Sequence, residues 1–271
     1  MRTCKVTNII LLTVWTLIMT QASASGIDKI KENQLLLHVI FNNIPYKEGL
    51  QTSWGFACLI DGLDKTVLFD TGGNGEILLS NMHQLGLTPR TVNVLVLSHI
   101  HGDHTGGVND FLTQNPNITV YMPESFPTSF QQEVERHGAR IITISGPQQL
   151  FPRIYTTGEL GHHIKEQALI IDTPQGLVVM TGCAHPNVAD MAEQAQTYLG
   201  KKIYLLMGGF HLGGSSQAEI NMIITRLKKM GVKKVAPSHC TGDTAIRMFH
   251  NAWQKDFIEG GLGSVIEIPL Q

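Results

Sequence analysis

An α/β layered fold is expected from three features of the sequence. Short apolar runs bounded by turn residues alternate with segments whose apolar residues recur at helical spacing, a pattern that places covering helices on sheets. At 271 residues and 42% hydrophobic, the chain can bury a substantial core as one large domain. No internal repeat, long linker, low-complexity tract or block of like charge interrupts the sequence.

Taken in order, residues 35–41, 54–60 and 66–69 read as β-strands. The third runs into the turn Asp70-Thr71-Gly72-Gly73. Residues 75–85 carry Ile77, Leu78, Met82 and Leu85 on one helical face, and Gly86 can stop the helix. Residues 92–97 read as an apolar run interrupted only by Asn93, the mark of a fully buried strand. A helix is expected from about Gly107, a strand at 117–122, a helix at 129–136 ended by Gly138, and a strand at 140–144. Residues 156–163 read as a polar loop with His162 and His163 on the surface, where they could form part of a substrate rim.

Residues 168–172 and 176–182 pair as strands about Thr173-Pro174-Gln175, and the second delivers Cys183, Ala184 and His185. A helix follows at 187–199, with Val188, Met191, Ala192, Ala195 and Leu199 on one face and Gly200 as its stop. The buried strand 203–207 ends in Gly208-Gly209-Phe210-His211-Leu212, where glycine lets backbone approach a neighbour closely. Ile220, Ile223, Ile224 and Leu227 mark a helix closed by Gly231. A short strand, 234–236, leads to Pro237-Ser238-His239-Cys240-Thr241-Gly242, and Cys240 is expected to point into the core. Thr241 can cap the helix carrying Ala245, Met248, Phe249, Ala252 and Trp253, and 264–268 is a terminal strand.

The chemistry is concentrated directly after the buried 92–97 run. Ser98-His99-Ile100-His101-Gly102-Asp103-His104-Thr105-Gly106-Gly107 packs three histidines and an aspartate into six residues. Imidazole and carboxylate suit zinc and similar borderline metals. Four such groups in one turn would be costly with nothing to bind; with a metal they become its ligands. His99 and His101 share a side if the chain is still extended, and Asp103 and His104 come from the following turn, an arrangement able to serve two adjacent ions.

Residues 98–107, together with LVVMTGCAHPN at 177–187, GGFHL at 208–212 and PSHCTG at 237–242, resemble the metallo-β-lactamase-fold superfamily. Within it they are similar to the 7,8-dihydropterin-6-methyl-4-(β-D-ribofuranosyl)aminobenzene-5′-phosphate synthase-like subgroup. The resemblance implies a four-layer αββα sandwich with a dinuclear site at one edge. It implies that His99, His101 and His185 hold one metal and Asp103, His104 and His239 the other, with Asp70 supporting them through hydrogen bonds. Many members have a bridging aspartate where this chain has Cys183. Cys183 either ligates the second metal as a thiolate or only packs. His211 is a candidate ligand, proton-transfer group or substrate contact, and Asp103 a candidate acceptor of a proton after attack. Zinc, as two ions, is the first expectation for the cofactor, with manganese or iron as the alternatives. The implied reaction is hydrolysis of an ester, lactone, amide or phosphoester by metal-activated water on a small-molecule substrate. The alternatives are a metallo-β-lactamase, or a protein that binds metal or ligand on the same fold without catalysis.

Composition bounds the partners. A formal net charge of −2 offers no basic footprint for nucleic acid. Residues 1–24 read as a signal peptide: Arg2 and Lys5, an apolar run over 9–19, and Ala22-Ser23-Ala24 as a cleavage site. That reading leaves 25–271 as the domain, exported to a periplasm or secreted, without a stable membrane span. Cys4 departs with the leader, and Cys58, Cys183 and Cys240 remain, an odd number. Cys58 reads as a buried small hydrophobe, and Cys183 and Cys240 could pair in an oxidising compartment. The sequence does not specify an oligomeric state.

Overall fold

The computed structural model describes residues 33–271. Residues 2–32, which include most of the leader read from the sequence, lie outside the described span. The first six strands are β1 (Gln34–Asn42), β2 (Phe56–Asp61), β3 (Val67–Phe69), β4 (Val94–Val96), β5 (Thr119–Pro123) and β6 (Arg140–Ile144), and they lie side by side in that order. The next six are β7 (Gln148–Phe151), β8 (Ile154–Thr156), β9 (Leu169–Thr173), β10 (Gly176–Thr181), β11 (Ile203–Gly209) and β12 (Lys234–Ser238), forming a second sheet in the same sequential order. The last strand, β13 (Val265–Pro269), returns to the first sheet and pairs antiparallel with β1.

Each sheet is antiparallel on one side and parallel on the other. β3 through β6 run parallel, as do β10, β11 and β12. The helices are α1 (Gly75–Gln84), the single turn α2 (Gly102–Thr105), α3 (Val108–Gln114), α4 (Thr128–Arg136), α5 (Val188–Leu199), α6 (Gln217–Lys229) and α7 (Asp243–Trp253).

Three apolar layers explain why the sheets stack. Between them lie inward-facing residues of both, including Leu37, Phe56, Val96, Ile171, Met180 and Met207. The outer face of the first sheet packs Leu68, Leu95 and Val120 against Leu78, Phe111 and Val134 of α1, α3 and α4. The outer face of the second packs Val179 and Leu206 against Met191, Ile220 and Phe249 of α5, α6 and α7. The result is the αββα sandwich. Strands buried on both faces need continuous apolar runs, as in the fully buried FACLI of β2 and VLV of β4. Burying each large side chain contributes roughly 1.5–3 kcal/mol.

Local chemistry sets the helix ends. The Asn74 side chain accepts from the Ile77 N–H at the start of α1. Ser216 and Glu219 form a reciprocal capping box on α6. Gly200 closes α5 in the left-handed conformation, φ 63°.

Three expectations need correction. The second strand begins at Phe56, not at 54, and Trp54 is exposed. The hairpin β7–β8 occupies residues for which no strand was expected, and it takes in Thr156, the first residue of the expected loop 156–163. Thr241 does not cap α7: its hydroxyl donates to the Ser238 carbonyl and accepts from the Phe210 N–H.

Candidate metal centre

The parallel strands deliver the chemistry to one edge. Asp70 follows β3, residues 98–104 follow β4, Cys183 and His185 follow β10, His211 follows β11 and His239 follows β12. Ligand sites of open α/β sheets lie at these carboxyl ends. Backbone strain collects here too: Asp70, Ala184, His211 and His239 have φ of 57°, 63°, 51° and 53°. Non-glycine residues adopt such values at a cost, which surrounding contacts must outweigh.

The side chains form adjoining donor sets. His99, His101 and His185 make one, and Asp103, His104, Cys183 and His239 another; within each, one donor atom per residue lies within 4.8 Å of all the others. His101 Nδ1 and His185 Nε2 are 3.2 Å apart, close to the edge of a tetrahedron with zinc–nitrogen bonds of about 2.0–2.1 Å. Cys183 Sγ lies 3.2 Å from His104 Nε2. A third set joins Cys183 to His211 and Cys240. Cys240 is half-buried with its thiol against the Cys183 carbonyl at 3.6 Å, a correction to the expectation that it points into the core.

A hydrogen-bond chain fixes the imidazole tautomers. Asp70 accepts from the Ser98 N–H, the Ser98 hydroxyl and His104 Nδ1–H, each at 2.7 Å. With its own hydrogen given to Asp70, the Ser98 oxygen accepts from His99 Nδ1–H at 2.9 Å. Asn43 Oδ1 accepts from His239 Nδ1–H at 2.8 Å. All three rings therefore turn Nε2, with its lone pair, toward the centre. Gly182 makes this approach possible, because a Cβ there would stand 2.1 Å from Ser98 Oγ.

Two of those nitrogens are the evidence that the residues fit a metal. His99 Nε2 and His239 Nε2 are buried without a hydrogen-bond partner; His239 Nε2 is 3.2 Å from Asp103 Oδ2 but outside hydrogen-bonding alignment. Buried polar atoms are rarely left so, and one falls in each of the first two donor sets.

The electrostatics agree with ligation. Burial, with the neighbouring His104, His185, His101 and His239, pushes His99 well below the usual histidine range. Burial and the facing His211, His101 and His104 push His185 down to about 4. Both are neutral at pH 7, as metal ligands must be. Burial opposes protonation of His104, but Asp70 outweighs it and raises the pKa. Burial opposes the charge on Asp103, yet the adjoining His239 and His104 rings hold its carboxyl far below the carboxylate range. Cys183 and Cys240 act on each other: the closeness of the two side chains raises the first thiol and lowers the second, with His211 adding to the lowering.

Sequence reasoning missed Glu166. It is fully buried, and its carboxylate accepts four backbone N–H groups: Gly182, Cys183 and Ala184 on Oε1 at 3.1, 2.9 and 2.8 Å, and His185 on Oε2 at 2.9 Å. Burial pushes it up to about 7 against the pull of those amides. It shapes the turn that presents Cys183 and His185. The available signal was an acidic residue two positions before the apolar run 168–171. Asn43 and the exposed ring of Trp54, 4.8 Å from His239, were also missed.

A cleft of about 350 Å³ opens beside His185 and His211, lined by Phe210, Leu212, Met222 and Ile223. A larger cavity of about 540 Å³ lies behind Ser238, between Tyr46, Arg247 and His250, and contains none of the donor-set residues. The smaller cleft is the one that meets the metal-ligand cluster, and its size suits a small molecule.

Fold and donor sets together define a metallo-β-lactamase-type protein. The metallo-β-lactamase superfamily model matches residues 51–190, and the chain belongs to that superfamily. It is 30% identical to 7,8-dihydropterin-6-methyl-4-(β-D-ribofuranosyl)-aminobenzene-5′-phosphate synthase of Methanocaldococcus jannaschii, over 82% of this chain and 92% of that protein. Among solved structures it resembles Tm1679, described as a metal-dependent hydrolase of the β-lactamase superfamily, with TM-score 0.74, 24% identity and coverage of 87% and 99%. The metallo-β-lactamase fold protein YhfI from Bacillus subtilis matches with TM-score 0.65 at 14% identity, covering 87% of this chain and 100% of that one. The superfamily typically binds metal ions, and the clusters described here are capable of holding them.

Proposed function

We propose that this chain is an exported metal-dependent hydrolase that acts on an ester, lactone, amide or phosphoester of a small molecule. The observation that carries the reading is the convergence of two adjoining donor sets, each with a buried Nε2 that has no other partner. His99, His101 and His185 would hold one ion, and Asp103, His104 and His239 the other, with Cys183 available to the second. Zinc suits this mixture of imidazole, carboxylate and thiol. When bound, the ions would supply Lewis acidity, activating water and polarising the bond under attack.

The chain's own residues do the rest. Asp103, held ionised by His239 and His104, keeps negative charge at the centre and is a poor proton acceptor. His211 is exposed at the rim, its ring 4.2 Å from that of His185, and Cys240 raises its pKa. With no ion between it and Cys240, His211 is placed to pass a proton to a leaving group. Asp70 and Glu166 fix the positions of His104 and His185, which keeps the reacting groups aligned. The cleft walls orient the substrate through apolar contact.

The test is to measure metal content and hydrolysis of ester, lactone, amide, β-lactam and phosphodiester panels for the wild type, His101→Ala and His104→Ala. Each variant is expected to lose metal and most activity. Full metal occupancy with full activity in both would end the reading. A second reading rests on the Methanocaldococcus relative, a synthase by name. Metal-dependent formation of that product by a chain inert on every hydrolase panel would favour it. Export is tested separately by sequencing the N-terminus of the mature protein.

A further inference from the structure

Cys240 and His211 lie outside the two donor sets of the hydrolase reading, and an ion held by them would take the place of the proton that reading gives to His211. Even so, their donor atoms and Cys183 Sγ all lie within 4.8 Å of one another. A tetrahedral zinc with sulfur at about 2.3 Å and nitrogen at about 2.0–2.1 Å separates its donors by about 3.5–3.8 Å, so the three need little movement to share an ion. The fold brings them together by specific means. Cys183 follows β10, His211 follows β11 and Cys240 follows β12, three adjacent parallel strands. Gly209 lets the thiols approach: a Cβ there would stand 2.7 Å from Cys240 Sγ and 3.2 Å from Cys183 Cα. His211 holds a left-handed backbone, φ 51°, that places its ring beside His185. Both cysteines are free thiols.

We propose that Cys183, Cys240 and His211 form a third, thiol-rich metal position beside the histidine–aspartate centre, selective for a thiophilic cation such as Zn²⁺ or Cd²⁺. Two thiolates and an imidazole are the donors that choose such ions over Mg²⁺, Ca²⁺ or Mn²⁺. Cys183 also belongs to the second donor set, so the thiol position adjoins that set through a shared residue. The exposed edge of His211 leaves the ion open to solvent on one side, where a fourth ligand can enter.

The test uses the full chain, reduced, stripped with a chelator and titrated with Cd²⁺. The readouts are the bound stoichiometry and the ultraviolet thiolate-to-cadmium charge-transfer band, neither of which depends on activity. Wild type is expected to bind one more equivalent than Cys240→Ser, and the variant's band is expected to fall by about half, as one of two sulfur ligands is lost. His211→Ala removes an exposed side chain, so it tests the position without endangering the core; it is expected to weaken the last equivalent by about tenfold or more. His101→Ala should leave the band in place while lowering stoichiometry, so failure of the histidine centre and failure of the thiol position register separately. Equal stoichiometry and equal band in wild type and both thiol-position variants would overturn the proposal. So would a Cys183–Cys240 disulfide that forms in place of metal binding.

Discussion

Glu166→Ala is the perturbation whose cost can be worked most directly from the structure. The substitution leaves four backbone N–H groups, those of residues 182 to 185, without their acceptor. A buried unsatisfied donor costs about 1–3 kcal/mol; at about 2 each, four cost about 8. Removing the carboxyl also relieves a burial penalty. Its pKa stands at about 7 against an ordinary 4.5, and at 1.36 kcal/mol per unit that difference is worth about 3 kcal/mol. The expected net loss is about 5 kcal/mol, a large share of a typical domain's 5–15. Glu166→Gln separates geometry from charge. Its amide oxygen can keep the three bonds made by Oε1 while its nitrogen faces the His185 N–H. The lost bond and the relieved burial are each about 2–3 kcal/mol, so its stability should stay within about 1 kcal/mol of wild type. The assay is urea unfolding of the metal-free protein at pH 7. An alanine variant within 1 kcal/mol of wild type, or a glutamine variant as damaged as alanine, would refute the reasoning.

Three further outcomes are expected. Asp70→Asn sets an amide against His104 Nδ1–H, and competition with a chelator should show metal affinity down about 10–100-fold with the fold retained; unchanged affinity would remove the supporting role. In the metal-free chain, His99 and His185 have lowered pKa values, so their stabilising contribution is complete above about pH 6.5 and is lost as pH falls, for His185 through about 4. Screening at half-buried His185 reduces its share to about 1–2 kcal/mol. His104, raised by Asp70, works in the opposite sense, since its contribution is lost as pH rises above its pKa. Thermal unfolding midpoints should therefore drop between pH 6.5 and 4, and a flat or rising profile would contradict the assignment. Thiol labelling of the native protein followed by mass spectrometry should modify Cys240 first and leave Cys58 intact, because Cys58 is fully buried with its thiol pushed up by burial; early labelling of Cys58 would refute the packing.

What the sequence made legible follows from signal strength. The buried strands β4, β10 and β11 are unbroken apolar runs that end in turn residues, so their positions and the loops that follow them were readable. The hairpin β7–β8 was not, because strands of four and three residues with partly exposed faces carry almost no periodicity. Trp54 looked like a strand residue by composition, but strand pairing with β1 begins at Phe56. At the site, clustered histidines announced themselves. Glu166 did not, because its partners are main-chain amides 16 to 19 residues away, and backbone donors leave no trace in residue types. Cys240 was misplaced for a related reason: its contact with the end of β10 depends on Gly209, across strands that are distant in sequence.

The most direct measurement of the central claim is a crystal structure of the zinc-loaded protein with anomalous data collected at the zinc edge. The account expects one peak among His99, His101 and His185 and a second among Asp103, His104 and His239, about 3.5–4 Å away. No peak within reach of those side chains would contradict it.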